Sequence, residues 1–515
     1  MTMMPDYDAF ARAYEAGGAT VAVTTLVADL ETPVSAYLKL ARGRGGNMFL
    51  LESVEGGAQR GRYSMIGLDP DLVFRSTGER AEINRRALHD LDAFLPCPGD
   101  PLEALRALLA ESRIKLPPGL PPMSAGVFGY LGYDMVRRME RLPPAKADPI
   151  GVPEALLIRP TVMVVFDAAR DEMAIVTPVR PAPGVSAKAA HESALTRLDA
   201  VVAALEAPLD HAAGAEVDPM LKAGAPLSNT TEAEYKAMVA KAKDYIVAGD
   251  AFQIVLSQRF TSRFDLPAFS LYRALRRVNP SPYLCYLDFA GFQIVVSSPE
   301  ILVRVRDGKV VIRPIAGTRP RGATPEEDAR LEAELIADPK EHAEHLMLLD
   351  LGRNDVGRVA MLGQSNRNAP ADRRKGPHVR VTASFFVERY SHVMHLVSNV
   401  EGDAPEGLDP VDVLMAALPA GTLSGAPKVR AMEIIDELET EKRGVGFAGA
   451  VGYFGADGSV DTCIVLRTAL LKDGMMYVQA GGGVVADSDP VAEYQETVHK
   501  ARALRTAAAE AWRFA

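Results

Sequence analysis

Runs of apolar residues, separated by Gly and Pro, predict many short strands along this chain. Residues 47–53 (NMFLLES) and 161–167 (TVMVVFD) are typical of strands in the first half. In the second half, residues 252–260, 292–298 and 301–315 have the same character, and they alternate with helical segments in no strict βαβ order. The pattern therefore favours an α+β fold with sizeable antiparallel sheets over a doubly wound parallel sheet.

A change of composition divides the chain. Residues 204–230 are rich in Ala, Pro and Gly, which is typical of a linker or a long surface crossing. A helix follows, because Thr231 and Glu234 form a capping-box pattern and apolar residues then recur at three/four spacing. We predict an N-terminal domain over residues 1–215 and a C-terminal domain over residues 228–515.

Length, charge and cysteine content exclude several classes of protein. A chain of 515 residues is too long for one small core, and its net charge of -10 argues against general nucleic-acid binding, although not against an anionic substrate. Cys97, Cys285 and Cys463 are odd in number and lack CxxC spacing, which argues against a disulfide framework or a cysteine-rich zinc site. The N-terminus lacks signal-peptide features, and no apolar run approaches the roughly 18 residues that span a bilayer. We therefore expect a soluble cytoplasmic protein.

The segment KEHAEHLMLLDLGRND (residues 340–355) is a candidate metal site on a predicted helix from Pro325 to Leu351. Glu344 shares its helix face with apolar residues, so it is expected to point inward and to meet a cation, since burying an unpaired charge is costly. His342 and His345 lie three apart, which fits neither zinc-peptidase spacing, and His345 is expected to be an ordinary packed histidine. Carboxylates favour magnesium over zinc. On the pattern alone, a solvated charged face stays an equal alternative.

A second carboxylate cluster lies in residues 481–504, where a glycine triplet precedes a predicted helix. Glu493 and Glu496 are three apart on that helix, and Lys500 is four residues further on. The glycines would let backbone N–H groups approach an anion closely. Glu496 and Lys500 could instead form a simple surface pair. With the first cluster, this segment suggests a carboxylate and magnesium site.

Three further segments are distinctive. Residues 314–322 (PIAGTRPRG) end a predicted strand with a Gly-Thr turn, and residues 419–439 place a Gly/Ser/Thr-rich turn before an amphipathic helix. The second turn misses the Walker A spacing, so an NTPase is disfavoured. Residues 363–380 are basic and non-periodic, which favours an exposed loop over an anion-binding or partner-docking loop.

These segments, together with ERYSHVMHLVS (388–398) and IVLRTA (464–469), resemble the chorismate-utilising enzymes. They are most similar to the large subunit of anthranilate synthase, component I, and the likeness extends from about residue 20 to about residue 508. The resemblance implies two antiparallel sheets packed at a steep angle with helices outside. It also implies that the protein binds chorismate and Mg²⁺.

The resemblance further implies individual roles. Glu344 and Glu496 match the magnesium ligands, with Glu341 and Glu493 close by, and the metal would bridge to the ring carboxylate of chorismate. Arg467 matches the partner of the enolpyruvyl carboxylate, although a strand arginine paired to an acid stays an alternative. The positions that would contact substrate are Gly317, Thr318, Phe447, Arg467, Gly481, Gly482, Gly483 and Lys500. Phe447 departs from the family, which usually has tyrosine there.

Three residues match catalytic positions of the family. Glu300 matches the carboxyl group that protonates the departing C4 hydroxyl, which a buried site can support by keeping the acid protonated. His395 matches the histidine on the C2 side of the ring and is assigned to pyruvate elimination. Thr422 is grouped with them.

The nucleophile distinguishes the family members. Aminodeoxychorismate synthases typically carry lysine where this chain has Ala316, and isochorismate and salicylate synthases place a lysine base where it has Gln253. The pocket therefore suits ammonia and the formation of anthranilate, the first step of tryptophan biosynthesis. Since no cysteine lies in a GxCxG elbow, a separate glutamine amidotransferase subunit is expected, giving a hetero-oligomer. The alternatives are an aminodeoxychorismate synthase and a non-catalytic chorismate or tryptophan sensor.

Two segments resemble the tryptophan pocket of the feedback-inhibited enzyme. They are FLLES (49–53) and NPSPYL (279–284), and on their own they are a strand end and a turn. The resemblance implies that tryptophan biases a two-state arrangement of domains. The implied pocket residues are Glu52, Ser53, Pro282, Tyr283, Leu284, Gly452 and Tyr453.

Overall fold

The computed structural model describes residues 5–55, 59–209, 226–362, 379–390, 393–404 and 407–515. Within these ranges, helices and antiparallel strands are mixed along the whole chain, which confirms the α+β class. Most of the basic segment, residues 363–378, lies outside the described residues, as do Ser391 and His392 of ERYSHVMHLVS.

The strands follow one another closely in sequence. They are β1 (Thr20–Val27), β2 (Met48–Glu55), β3 (Gln59–Thr77), β4 (Arg80–Asn84), β5 (Phe94–Pro96), β6 (Gly126–Leu131), β7 (Ala155–Asp167), β8 (Glu172–Val179), β9 (Leu227–Ser228), β10 (Gln253–Arg263), β11 (Tyr283–Phe289), β12 (Phe292–Ser298), β13 (Ile301–Arg306), β14 (Lys309–Ile312), β15 (Ile315–Pro320), β16 (Arg380–Arg389), β17 (Val393–Asp403), β18 (Gly425–Ala426), β19 (Ala450–Gly455), β20 (Val460–Ile464), β21 (Thr468–Lys472) and β22 (Met475–Val484).

The α-helices are α1 (Tyr7–Glu15), α2 (Pro33–Leu40), α3 (Pro101–Glu111), α4 (Ala187–Glu206), α5 (Glu232–Val247), α6 (Ala268–Val278), α7 (Pro325–Ala337), α8 (Pro339–Leu362), α9 (Pro410–Ala417), α10 (Gly421–Ser424), α11 (Lys428–Leu438), α12 (Pro490–Lys500) and α13 (Arg502–Glu510). Short 3₁₀ turns lie at Pro122–Ser124, Tyr133–Arg138 and Ala511–Phe514. No helix in the described ranges is long and apolar enough to cross a membrane.

The long strand β3 joins two series of antiparallel pairs. One series runs β3–β2–β11–β12–β21–β22–β10, and the other runs β3–β7–β6–β19–β20–β13–β14–β17. Phe49 and Ile294 of the first series share one buried cluster with Tyr130 and Val451 of the second. The two series therefore pack against each other, while the steep crossing angle and the two-domain division stay predictions.

Residues 301–315 form more than the single strand that their apolar run suggested. Asp307 and Gly308 have φ of 51° and 71°, and they connect β13 to β14 as a hairpin. Positive φ at both turn residues is the signature of the tight Asp-Gly turn, which matches the right-handed twist of the strands. The hairpin places Glu300 just before β13, at the edge of the site.

The predicted capping box at the start of α5 is confirmed. The Glu234 N–H donates to Thr231 Oγ1 at 3.2 Å, and the Thr231 N–H donates to Glu234 Oε2 at 2.8 Å. These two bonds satisfy backbone donors that the first turn of a helix otherwise leaves unpaired.

The single helix predicted from Pro325 to Leu351 is wrong, because the structure has two helices with a break at Asp338. Proline removes a helical donor and disfavours helical backbone at the residue before it, so Pro339 ends α7 and begins α8. Asp338 Oδ1 then accepts the Lys340 and Glu341 N–H groups at 2.9 and 3.3 Å. The break fixes the direction in which α8 presents its carboxylates.

Candidate active site

Glu300 is a buried carboxylic acid at the end of the β12–β13 connection. Its Oε1 accepts a hydrogen bond from Thr422 Oγ1 at 3.3 Å, and its backbone oxygen accepts from the Ile464 N–H at 3.0 Å. Burial raises the pKa of Glu300 to about 8, although the Thr422 hydroxyl and the charge of Arg467 oppose the shift. The side chain is therefore protonated at neutral pH and can donate a proton.

His395, on β17, is a buried base whose proton position follows from its neighbours. The strand register sets it opposite Thr318, and its Nδ1 lies 3.0 Å from the Gly317 carbonyl oxygen and 3.1 Å from Thr318 Oγ1. Since a carbonyl oxygen can only accept, Nδ1 carries the proton and Nε2 keeps its lone pair. Burial lowers the pKa of His395 to about 4, so the ring is neutral at pH 7.

Arg467 interacts electrostatically with both of these groups, since its positive charge lowers the pKa of Glu300 and the pKa of His395. Burial lowers its pKa, and the ionised forms of Glu300 and Tyr390 oppose that shift. Its backbone has φ of 47°, a conformation costly for a non-glycine residue and found often at functional sites. Across the ranges that the structure describes, its guanidinium makes no salt bridge or hydrogen bond, so the alternative of a structural ion pair finds no support there. A buried guanidinium without an ion-pair partner can bind a carboxylate through two parallel hydrogen bonds.

The glycine triplet lies on β22, opposite residues 255–257 of β10. A Cβ at Gly482 would lie 2.8 Å from Glu493 Oε2, and one at Gly481 would lie 2.9 Å from Phe447 Cζ. Gly483 would similarly meet the Gln253 amide at 2.5 Å. Glycine is therefore required for other side chains to approach this strand closely.

Phe447 and Lys500 flank the same strand. Phe447 is buried behind Gly481, with the Arg443 guanidinium 5.3 Å from its ring centre. Lys500 donates to the Gly481 carbonyl oxygen at 3.0 Å and pairs with Glu496 at 2.6 Å. The i,i+4 pair that was the alternative interpretation of Glu496 and Lys500 is therefore present, and Lys500 also ties α12 to the glycine strand.

Carboxylates of α8 and α12 lie near enough to influence one another electrostatically. Burial raises the pKa of Glu344, and the charges of Glu341 and Glu496 raise it further, whereas Lys500 lowers it. Glu341 is also held by Arg319, at 3.0 Å. Glu341 and Glu496 each have a cationic partner, whereas the Glu344 carboxylate makes no salt bridge with the residues that the structure describes.

Glu493 is a second buried carboxylate with an oxygen available to a cation. Its Oε1 accepts from Ser488 at 2.7 Å, but its Oε2 is buried and finds no donor in the described residues. Burial, and secondarily Glu496, raise the pKa of Glu493. No group of three or more Asp, Glu, His or Cys side chains in the described ranges is arranged around one point. Because magnesium is commonly held by one or two carboxylates plus water and substrate oxygens, the residues fit such an ion.

A small cavity of about 30 Å³ adjoins Glu300 and Thr422. Leu348, Leu351 and Asp355 of α8 also line it. The lining is mainly apolar, with Glu300, Thr422 and Asp355 as its polar side chains, and the volume is that of one molecule as small as water or ammonia.

The two histidines of α8 do not take part in the carboxylate group. His345 is fully buried, its Nε2 lies 2.6 Å from Ser398 Oγ, and burial lowers its pKa to about 4. The prediction of a packed histidine is confirmed. His342 stacks on Phe385 with ring centres 4.5 Å apart.

The segments of the implied tryptophan pocket are neighbours in the structure. The β2–β11 register sets Ser53 opposite Tyr283 and Glu52 opposite Leu284. Ser53 Oγ donates to the Tyr63 carbonyl oxygen at 3.1 Å. Glu52 is buried and already engaged, since it accepts hydrogen bonds from Tyr272 and, at 2.8 Å, from Arg276 Nε.

A polar network joins this region to the second series of strands, the one that contains β13, β19 and β20. The Tyr283 hydroxyl donates to Asp461 Oδ1 at 2.9 Å, and Arg306 lies 3.5 Å from Asp461 Oδ2. Arg306 also donates to the Tyr453 hydroxyl at 3.1 Å, next to Gly452 on β19. Pro282 adjoins Tyr283 at the start of β11. The pocket residues thus lie on both series of strands.

Sequence reasoning missed several residues that position the site. Arg319 fixes the start of α8 through Asp338 and Glu341, at 2.7 and 3.0 Å. Tyr390 packs edge-on against His395, with ring centres 5.6 Å apart, and interacts with the charge of Arg467. The position of Tyr390 inside the ERYSH motif was a usable signal, but its contact with His395 depends on the pairing of β16 with β17.

Comparison with known proteins places this arrangement in context. The model of a family described as chorismate binding enzyme matches residues 48–506. The anthranilate synthase component 1 of Cereibacter sphaeroides is 56% identical over 99% of both chains, and that of Pseudomonas putida is 46% identical over 94% of both. The crystal structure of anthranilate synthase component I from Streptococcus pneumoniae TIGR4 aligns with a TM-score of 0.73 at 35% identity, covering 93% of this chain and 98% of that one. The chain therefore belongs to the chorismate binding enzyme family.

Proposed function

We propose that this protein is the large subunit of an anthranilate synthase, which converts chorismate and ammonia into anthranilate, pyruvate and water. The observation that carries the proposal is that one buried group, Glu300, keeps a proton that it can donate, while another, His395, has a free nitrogen that can accept one. Glu300 is held protonated, with its pKa raised by burial to about 8, while His395 is held neutral. A substitution needs a buried acid to protonate the leaving group, and an elimination needs a buried base to accept a proton; this site has both, next to the unpaired Arg467.

The first step is a substitution on the chorismate ring. Ammonia forms a bond to C2, the ring double bonds shift, and the C4–O bond breaks. Glu300 donates its proton to the departing C4 hydroxyl, which leaves as water. Arg467 binds the enolpyruvyl carboxylate, and Thr422 holds Glu300 in position through their hydrogen bond of 3.3 Å.

The second step is the loss of pyruvate. His395 Nε2 accepts the C2 proton, the bond from C3 to the enolpyruvyl oxygen breaks, and the ring becomes aromatic. The Gly317 carbonyl, at 3.0 Å from Nδ1, keeps Nε2 free to accept that proton. Enolpyruvate leaves and is protonated to pyruvate.

Glu344 and Glu496 would hold Mg²⁺, with Glu493 and Glu341 nearby. The ion would supply positive charge for the ring carboxylate of chorismate, which would withdraw electron density from the ring. Glu344 is the first candidate, because burial and, after it, the charges of Glu341 and Glu496 raise its pKa, and a bound cation would offset both effects.

Ammonia is expected to come from a separate glutamine amidotransferase subunit in a hetero-oligomer. This chain has Ala316 where aminodeoxychorismate synthases typically carry lysine, and Gln253 where isochorismate and salicylate synthases carry a lysine base. The absence of both lysines favours ammonia as the nucleophile. The cavity beside Glu300 has room for ammonia. The cytoplasmic location stays a prediction, as does the place of the reaction at the start of tryptophan biosynthesis.

An activity assay on the isolated chain tests this proposal. With chorismate, Mg²⁺ and ammonium, we expect fluorescent anthranilate and pyruvate to form in equal amounts. With glutamine instead of ammonium, we expect no product until a glutamine amidotransferase subunit is added. Accumulation of an amino-substituted chorismate without pyruvate would instead identify an aminodeoxychorismate synthase, and no turnover at all would favour a chorismate or tryptophan sensor.

We further propose that tryptophan binds between β2, β11 and β19 and inhibits the enzyme. The pocket network offers a physical route to the active site, because β20 carries both Asp461 and Ile464. Asp461 contacts Tyr283 at 2.9 Å, and the Ile464 N–H donates to the Glu300 carbonyl at 3.0 Å. A shift of β20 on tryptophan binding would therefore move the acid and bias a two-state arrangement.

The substitution Ser53→Phe tests the tryptophan pocket. The phenyl ring would fill the space beside Tyr283, so we expect the inhibitory concentration of tryptophan to rise at least about tenfold while turnover changes little. Inhibition curves at fixed chorismate measure this. Thr25→Phe, at an exposed position of β1, is the matched control and should keep wild-type inhibition. Unchanged inhibition in Ser53→Phe would remove Ser53 from the pocket.

A further inference from the structure

The second half of α8 presents one face to the small cavity beside Glu300. Leu348, Leu351, Gly352 and Asp355 follow one another at three/four spacing, and all four line that cavity. Asp355 is buried there, and the proposed reaction does not use it. A buried carboxylate is costly unless it is paired, so the partner of Asp355 decides what it can do.

Lys428, the first residue of α11, is the partner of Asp355. Its Nζ lies 3.2 Å from each oxygen of the Asp355 carboxylate and donates to the Ala417 carbonyl oxygen at 3.4 Å. Burial raises the pKa of Asp355, while the charges of Lys428 and then of Arg358 oppose that shift. The Asp355 carboxylate therefore takes up a proton more readily than an ordinary aspartate.

The ion pair extends from the cavity toward the surface. The Asp355 side chain is 7% exposed, whereas the Lys428 side chain is 12% exposed and comes directly after the exposed Pro427. Lys428 is thus the end of the pair nearer to solvent, and Asp355 is the end that lines the cavity.

The cavity connects this pair with the catalytic acid. Its volume of about 30 Å³ is that of one small molecule, and its polar side chains are Glu300, Thr422 and Asp355. A buried water commonly makes about three hydrogen bonds, and these three side chains supply that number. A water that bonds to both Glu300 and Asp355 joins the two carboxyl groups.

The proposed reaction requires Glu300 to be protonated again after every turnover, because Glu300 gives its proton to the departing C4 hydroxyl. Given the proposed function, on which this step rests, we propose that Asp355 and Lys428 return the proton to Glu300 through one water in the cavity. An O–H bond forms on Glu300 as an O–H bond of the water breaks, and the water recovers its proton from Asp355. Asp355 receives its proton from the Lys428 ammonium, and solvent protonates Lys428 again. Both residues act through Glu300 and are therefore positioning residues for the proton.

Rapid-mixing kinetics of Asp355→Asn at pH 7, with chorismate, Mg²⁺ and ammonium, tests this relay. Glu300 starts protonated, so we expect the first turnover to proceed at the wild-type rate. The amide does not relay the proton, so later turnovers should lie about tenfold or more below the wild-type steady-state rate. Anthranilate should thus form in a burst of about one molecule per active site, followed by a slow phase. An unchanged steady-state rate, or equal slowing of the first and later turnovers, would overturn the proposal.

Further variants separate the relay from a structural role of the ion pair. Asp355→Asn leaves Lys428 without its partner, whereas Asp355→Leu combined with Lys428→Met replaces both charges by apolar side chains, which buried sites commonly tolerate. The double variant should show the same burst and slow phase. Formic acid should speed the later turnovers of Asp355→Ala, where it can take the place of the carboxylate, and should leave the wild type unchanged. Glu154→Gln, which breaks another buried pair, of 2.6 Å with Lys442, should show no slow phase.

The same measurements distinguish failure of the relay from failure of the proposed function. Wild-type protein that forms no anthranilate would refute the proposed function and the relay with it. Anthranilate formation by the wild type, together with unchanged later turnovers in the double variant, would refute the relay alone.

Discussion

Replacing Glu300 by Gln is expected to lower kcat for anthranilate formation by about 10²–10⁴-fold. The amide keeps the size of the side chain and can still meet Thr422, now 3.3 Å from Glu300 Oε1, but it cannot give a proton to the departing C4 hydroxyl. Binding of chorismate should change much less than kcat, because the lost interaction belongs to the transition state. Steady-state kinetics with ammonium as the nitrogen source measures both effects.

Asp288→Asn is the matched control for Glu300→Gln. Asp288 is another carboxylate whose pKa is raised by burial, and it lies on β11 with a hydrogen bond from Gln293 at 3.1 Å. It therefore tests what the loss of a half-buried acid does to folding without touching the chemistry. Equal losses of activity in both variants would remove the assigned role of Glu300.

The pH dependence of the rate is an independent test of the roles assigned to Glu300 and His395. The active form of Glu300 is protonated, so the rate should fall as pH rises through its raised pKa of about 8. The active form of His395 is neutral, so the rate should fall on the acid side as pH drops toward its lowered pKa of about 4. In Glu300→Gln the alkaline fall should disappear from the residual activity.

Local signals in the sequence predicted the elements that depend on near neighbours. The capping box at Thr231 and Glu234 required only contacts within one turn, and the inward position of His345 followed from the apolar face of its own helix, although its partner Ser398 is 53 residues away. The break at Pro339 was also local, but the periodic apolar pattern across it outweighed the proline in the prediction. The Asp307–Gly308 turn was missed for the same reason.

The electrostatic state of the site could not be predicted from the sequence, because it depends on strand register between distant segments. The tautomer of His395 follows from the β15–β17 register, which brings the Gly317 carbonyl to its ring. The link from Tyr283 to Asp461 similarly joins strands from the two packed series. The resemblance of the motifs predicted which residues would lie together. The protonation state of each group depends instead on its burial and on partners that lie outside the motifs.

Replacing Glu344 by Gln is expected to abolish most turnover by weakening Mg²⁺ binding more than about 100-fold. The amide keeps one oxygen ligand but removes the negative charge that a hard divalent cation prefers. Activity measured against Mg²⁺ concentration should show the loss, and binding of Mg²⁺ to the free enzyme by calorimetry should show it without reference to activity. Unchanged Mg²⁺ affinity would exclude Glu344 as a ligand.

The stability of the metal-free protein separates a ligand from an ordinary surface carboxylate. Burial and the charges of Glu341 and Glu496 raise the pKa of Glu344, so neutralising it relieves repulsion, and Tm without Mg²⁺ should rise in Glu344→Gln. Addition of Mg²⁺ should stabilise the wild type and leave the variant unchanged. Asp350→Asn, on the same helix with its side chain 77% exposed, should behave as wild type in both conditions. A lower Tm for Glu344→Gln with a retained response to Mg²⁺ would mean that Glu344 stabilises α8 and that the ion binds elsewhere.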